Sequence, residues 1–339
     1  MTTNPYKTSH SWIGIIIIFF FASCSSPGKD KESSAKPSHP YELVKDWPQF
    51  PKDFPLSQIS AIGIDTGQNI IFLQRSGRIW KDTIPDSLIS MNTVFTLDKA
   101  SGKIINSWGA NLFTMPHGLT VDDENNIWVT DVGLNQVFKF DHDGALLMKL
   151  GVAKVPGNNK THFNRPTDVA IASDGSFYVS DGYRNSRIVK FSKQGTYLFE
   201  WGKPGTGPGE FNVPHGISLD SEGNVYVADR ENNRIQEFDP KGKFLRQWKN
   251  NEATLLFSLC VSKADNVFAV DDLYVNDSLP MGDGVIKFDN QLNFQWRFGR
   301  NDSTVDKKAL YHDIAIDKKE NIYAADILGL RIQKFRKIN

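Results

Sequence analysis

Cysteine is nearly absent from this sequence. Cys24 and Cys260 are the only two in 339 residues. Disulfides therefore do not hold the fold together, and a metal site built on several thiolates is excluded. Charge of one sign is lacking as well: 39 basic residues balance 39 acidic ones. No net field draws the chain to nucleic acid or to an anionic membrane surface. Long apolar runs are missing with one exception, Trp12 to Ala22, which follows Lys7. That run is too short for a comfortable membrane span and has the length of a signal-peptide core.

The run ends in Phe21-Ala22-Ser23-Cys24. Small residues before a cysteine resemble a bacterial lipoprotein processing box, with Phe21 where leucine is usual. The resemblance implies cleavage before Cys24 and lipidation of its sulfur; ordinary secretion, with Cys24 incidental, is the alternative. The expected layout is a signal peptide over 1–23, a disordered tether rich in Ser, Lys and Pro over 24–40, and one folded domain over 41–339. The protein is then expected in the cell envelope of a bacterium, as a periplasmic or outer-membrane lipoprotein. Only its lipid anchor would touch the membrane.

What the chain does have is Gly, Pro and aromatic residues, a mix that suits many short strands joined by turns. It also has a recurring frame. Met115-Pro116-His117-Gly118-Leu119-Thr120-Val121-Asp122 leads into Asn126-Ile127-Trp128-Val129-Thr130-Asp131. The frame returns around His215 and His312, and with the histidine replaced at Ser60, Thr167 and Phe257. The intervals are 57, 50, 48, 42 and 55 residues. A period of this size, with several strands per unit, is the signature of a β-propeller.

Each unit reads as four short strands. In the third they are Val169 to Ile171, Phe177 to Ser180, Arg187 to Phe191 and Tyr197 to Gly202, with Gly-centred turns between them. No helix longer than a turn or two is expected. The fold class is all-β, a six-bladed propeller. The last unit stops after its third strand, and an open sheet edge is a liability. A strand from Tyr41 to Pro48 is expected to complete the sixth blade.

The first strand of each propeller blade lines the central channel. His117, His215 and His312 fall in units two, four and six, so they should converge on one axial point with threefold spread. Three imidazoles at one depth suit Zn2+ at about 2.0–2.1 Å per nitrogen, with a fourth position open for catalysis. Copper, iron and nickel also accept imidazole. The other histidines, His10, His39, His142 and His162, lie outside the frame and read as surface or tether residues. Asp131, Asp181, Asp229 and Asp326 recur once per unit, which argues for blade-to-blade hydrogen bonding rather than chemistry. Asp313 stands where other units carry Gly118, Asp168, Gly216 and Ser258, and a buried Asp needs a partner.

The units resemble NHL-type blades. Several strings are similar to the lyase domain of peptidylglycine amidating enzymes, peptidyl-α-hydroxyglycine α-amidating lyase. They are Met115-Pro116-His117-Gly118, Asp181-Gly182-Tyr183-Arg184-Asn185-Ser186-Arg187, Val213-Pro214-His215, Ala228-Asp229-Arg230-Glu231-Asn232, and Phe72-Leu73-Gln74-Arg75-Ser76 with Trp80. The similarity runs from about residue 45 to the end. It implies zinc on His117, His215 and His312, Tyr183 and Arg75 as catalytic side chains, and Arg230 near the substrate carboxylate. It also implies a structural Ca2+ held by the Asp313 side chain with the carbonyls of Ile62 and Leu119. The implied substrate is a small peptide or N-acyl compound ending in α-hydroxyglycine, split into an amide and glyoxylate by a monomeric enzyme. Arg184, Tyr226 and Glu237 stand where the resemblance puts cysteines, so the fold does without those disulfides.

Two other readings stay open on sequence alone. One is a non-catalytic propeller that binds peptide or glycan at the cell envelope. The other is a metal-dependent hydrolase, such as a lactonase, using the same channel.

Overall fold

The computed structural model describes residues 39–81, 83–252, 254–273, 283–299 and 309–338. The expected signal peptide, Cys24 and nearly all of the expected tether lie outside the described residues. Among the described residues there is no helix long and apolar enough to cross a membrane.

The chain forms six four-stranded antiparallel sheets, each a blade. Their innermost strands are Ile59–Ile64, Pro116–Val121, Asp168–Ile171, Pro214–Leu219, Thr254–Val261 and Tyr311–Ile316. Each packs against the innermost strands of the two neighbouring blades, and the ring closes between the first and the last. In blade three the strands are Asp168–Ile171, Phe177–Asp181, Arg187–Phe191 and Tyr197–Trp201, within a residue of expectation. The only helical element among the described residues is a three-residue 3-10 turn, Arg230–Asn232.

The frame folds as it does for a local reason. In four of the blades an Asp ends the first strand, and its Oδ1 accepts the backbone N–H of an Asn four residues on. The pairs are Asp65–Asn69, Asp122–Asn126, Asp220–Asn224 and Asp317–Asn321. A side chain that mimics a backbone turn in this way fixes the first hairpin of the blade. At the other end of that hairpin sit Asp131, Asp181, Asp229 and Asp326, all buried. They accept N–H groups from the incoming segment, at Thr114, Asn164, Asn212 and Leu310. Asp181, Asp229 and Asp326 also pair with Arg187, Arg234 and Arg331. The recurring Asp is structural, as the repeat suggested, but these partners lie in its own blade and in the segment entering it, which corrects the expectation of blade-to-blade bonds.

Among the described residues there is no single central core. Apolar side chains gather in six clusters, one at each interface between adjacent blades. In blades two, three and four burial fades outward, and the fourth strands Leu146–Leu150, Tyr197–Trp201 and Phe244–Lys249 carry only half-buried and exposed side chains.

Blade six is closed by an N-terminal strand, Tyr41–Leu43, paired antiparallel with Arg331–Lys337. It is shorter than the stretch expected, with one further bond from Val44 N–H to the Lys334 carbonyl at 2.8 Å. Pro48 has no N–H to extend the ladder. His39 corrects the reading of it as a tether residue: it is buried and stacks on Phe298 at 4.4 Å. Tyr226 and Glu237, at expected cysteine positions, are cross-strand neighbours, and Glu237 takes an ion pair from Arg246.

Candidate metal centre

His117, His215 and His312 meet on the channel axis. Their ring centroids are 4.7–4.9 Å apart, and one nitrogen from each lies within 4.8 Å of the others. All three are buried. The backbone explains how they get there. In blades one, two, four, five and six the register between first and second strands slips where the ring residue sits. In blade six, for example, Tyr311 faces Asp326 and Asp313 faces Ala325, which leaves His312 as the extra residue. A β-bulge of this kind re-aims a side chain, and here it lies at the channel.

The other three ring residues are not idle. His117 Nδ1 is 2.8 Å from the carbonyl of Thr167, His215 Nδ1 is 2.6 Å from that of Phe257, and His312 Nδ1 is 2.7 Å from that of Ser60. Each histidine thus donates to the ring residue of the next blade. That fixes the Nδ1–H tautomer and leaves every Nε2 lone pair facing the axis. Burial pushes the pKa of His117 and His215 well below the ordinary value, helped by the neighbouring histidines. Burial, then Arg75, takes His312 down to about 3. Neutral imidazoles with converging lone pairs are the protonation state a metal ion requires, so the residues present fit a three-nitrogen site.

Tyr183, Arg75 and Arg230 come to the same place from second-strand exits, the corner next to the histidines in each antiparallel hairpin. Gly182 carries Tyr183 over blade four, where a β-carbon would collide with the Pro214 carbonyl. The Tyr183 hydroxyl lies 3.0 Å from His117 Nε2 and 3.1 Å from His215 Nε2. Arg230 Nη1 is 3.4 Å from the same oxygen, and its guanidinium stacks on the rings of Tyr183 and Phe257, 5.2 Å from each. Its other side pairs with Glu231 at 2.8 Å.

Arg75 is only 1% exposed. Its Nε donates to the Pro116 carbonyl and its Nη1 to Gln58 Oε1 at 2.8 Å, while Nη2 is buried with no partner among the described residues. Burial lowers its pKa to about 10, which still leaves it charged at neutral pH. Arg75, Tyr183, Arg230 and His312 line a cavity of about 510 Å³ together with the apolar side chains of Leu255, Phe257, Leu310, Ile327 and Leu328.

Gln58 and Trp80 were not singled out as site residues by their sequence positions. The Trp80 ring lies 4.9 Å from Tyr183 and 5.2 Å from the Arg75 guanidinium carbon. Asp168 is a further omission. Asp313 accepts from Ile62 N–H at 2.9 Å and from Ser258 Oγ at 2.7 Å, and burial raises its pKa to about 6. Asp168 is held well above the usual carboxylate range by burial and then by Asp313. Both line the constriction beside the three histidines. Leu119 lies on the adjacent strand, buried between blades one and two.

A closed ring of six four-stranded sheets with an axial three-histidine cluster defines a propeller with a candidate metal centre. A family model described as 6-bladed beta-propeller matches residues 157–334, and an NHL repeat matches residues 113–140. The chain belongs to this six-bladed β-propeller family. Among curated proteins it is 32% identical, over 91% of its length, to peptidyl-glycine alpha-amidating monooxygenase B of Xenopus laevis, covering 37% of that protein. It is 38% identical, over 51% of its length, to peptidyl-alpha-hydroxyglycine alpha-amidating lyase 1 of Drosophila melanogaster, covering 34% of it. The chain thus spans about a third of the length of these relatives. The resemblance carried by the histidine, tyrosine and arginine strings extends to the sequence at large. A streptogramin B lyase structure, at TM-score 0.54 and 17% identity, covers 87% of this chain and 97% of its own. That match shows the fold alone.

Proposed function

We propose that the protein is a metal-dependent lyase that cleaves a carbinolamide, a peptidyl- or N-acyl-α-hydroxyglycine, to an amide and glyoxylate. The observation that carries this reading is the Tyr183 hydroxyl, in contact with two of three converging Nε2 atoms and beside the Arg230 guanidinium. The names of the amidating-lyase relatives support it.

The reaction moves one proton and breaks one bond. The substrate hydroxyl loses its proton, the C–N electron pair goes to nitrogen, the nitrogen gains a proton, and the carbon becomes an aldehyde. A divalent ion on the three histidines, zinc by preference, supplies a Lewis acid that lowers the pKa of the substrate hydroxyl. Tyr183 Oη, within 3.0–3.1 Å of two of the Nε2 atoms, would be the acceptor for that proton. Arg230 suits the carboxylate of the glycine-derived unit, since a guanidinium grips a carboxylate in bidentate fashion. The free Nη2 of Arg75 is a preorganised donor for negative charge that develops on oxygen.

A structural Ca2+ at Asp313 with the Ile62 and Leu119 carbonyls belongs to the same proposal. Two carboxylates buried together at Asp168 and Asp313 favour a cation there. Lipid anchoring through Cys24 in a bacterial envelope also stays a proposal.

The test is twofold. Gently purified protein should carry about one equivalent of transition metal, and less than about half would count against the site. Incubation with an N-acyl-α-hydroxyglycine should release glyoxylate. No release above a His215→Ala control would overturn the lyase in favour of a binding propeller or a hydrolase.

A further inference from the structure

The cavity over the histidines does not end at its apolar lining. Ile327 and Leu328, in the turn that follows Ile322–Asp326 of blade six, line both it and a second cavity of about 300 Å³. Gln58 also borders both. The second cavity is a trough between that turn and the Gly77–Ile79 turn of blade one, with Leu56, Ile79 and Leu330 along it. Three of its side chains are large, apolar and open to solvent: Ile79 is 61% exposed, Leu328 45% and Leu330 40%. Its one charged side chain, Arg78, is turned to the loop beyond. The Arg78 guanidinium donates to the carbonyls of Pro85 and Ser87 and to Ser87 Oγ. The trough is therefore lined mainly by apolar side chains and shares Gln58, Ile327 and Leu328 with the proposed reaction cavity.

The polarity of the two cavities orients a substrate. The α-hydroxyglycine end carries the carboxylate and the reacting C–N bond, and it belongs against Arg230, Tyr183 and the histidines. The acyl side of that bond must leave through the apolar side, over Ile327 and Leu328. Resting on the lyase reading above, we infer that the trough is a specificity subsite for a bulky apolar side chain on the residue immediately before the α-hydroxyglycine. Leu328, Leu330 and Ile79 would cover that side chain. A charged or small polar residue there would leave this surface in water and gain nothing from it.

The experiment compares two substrates, acetyl-Leu-α-hydroxyglycine and acetyl-Ser-α-hydroxyglycine, with the full chain. The parent should prefer the leucine substrate by about tenfold or more in kcat/KM, mainly through KM, the scale at which apolar pockets discriminate. The double variant Leu330→Ser, Ile79→Ser should reduce that ratio to within about threefold. Both positions are exposed, and an unchanged melting temperature would certify the fold. A second arm needs no turnover. The stable peptides acetyl-Leu-Gly and acetyl-Ser-Gly are titrated calorimetrically, with the same ratio expected in the parent and lost in the variant. Turnover of both substrates without preference, or a preference that survives in the variant, overturns the subsite. If neither substrate is turned over, the lyase reading fails, and the binding arm alone decides the subsite. A parent dimer that the variant abolishes would show that a second copy covers the trough, and would also overturn it.

Discussion

Arg75 has one guanidinium nitrogen buried without a partner among the described residues, and such a group is costly unless a ligand completes it. The rest of the guanidinium is held by the Pro116 carbonyl at Nε and by Gln58 at Nη1. Gln58 Oε1 accepts from Arg75 Nη1 at 2.8 Å and from Trp80 N–H at 3.1 Å, so one amide oxygen sets both the cation and the ring beside it. Gln58 is a positioning residue on this reading, acting through Arg75. A hydrogen bond to a charged group is worth about 1.5–3 kcal/mol, so Gln58→Ala should lower kcat/KM by at least about tenfold. The loss should fall on kcat more than on KM, with bound metal unchanged, since the Gln58 amide oxygen bonds Arg75 and Trp80 rather than a histidine. Steady-state kinetics with metal analysis checks this; kcat/KM within about twofold of the parent would show that Arg75 is aligned without it.

At the scale of the strand, the bulge and the glycine behind it build the metal centre. Gly118 and Gly216 follow two of the histidines, and each lies against the next blade. A β-carbon at Gly118 would collide with the Thr167 carbonyl, the acceptor for His117 Nδ1. Gly118→Ala should therefore act twice. It should cost about 1–3 kcal/mol as an overpacked contact, and weaken metal binding by about tenfold or more as the orienting carbonyl moves. Urea melts and chelator competition measure the two separately. Metal affinity equal to the parent's would detach the carbonyl from the site. This is also where the sequence stops being legible. The histidine alternation shows because a repeat puts equivalent residues at equivalent angles, and a string displays its own period. The bulges and the carbonyl ring do not show, because register belongs to a pair of strands. Gln58 and the role of Asp168 escape notice for a related reason: one has no counterpart in the repeat, and the other shows its burial and its pairing with Asp313 only once the ring is closed.

Over the whole molecule, stability is a property of the ring. Each blade buries its faces against its neighbours and nowhere else, so an incomplete blade six weakens two interfaces. The N-terminal strand joins both. Tyr41 is buried against Trp296 and Phe298 of blade five, with its hydroxyl on the Glu320 carbonyl at 3.0 Å. A few residues on, Trp47 packs on Tyr323 of blade six in the cluster shared with blade one. Deleting residues 41–48 removes two buried aromatic side chains and exposes the edge of Arg331–Lys337. Large buried aromatics cost about 3–5 kcal/mol each when truncated, so the loss should exceed about 5 kcal/mol. That corresponds to a fall of about 10 °C or more in Tm. Tyr41→Ala, which keeps the backbone pairing, should lose about half as much. The two variants separate packing from edge closure. A deletion mutant that melts with the parent would mean the ring holds without its clasp. If instead both variants fall equally, packing of Tyr41 does the closing and the three-residue ladder adds little. The ladder is short, and the aromatic it carries reaches another blade, so most of the effect is expected from the side chains.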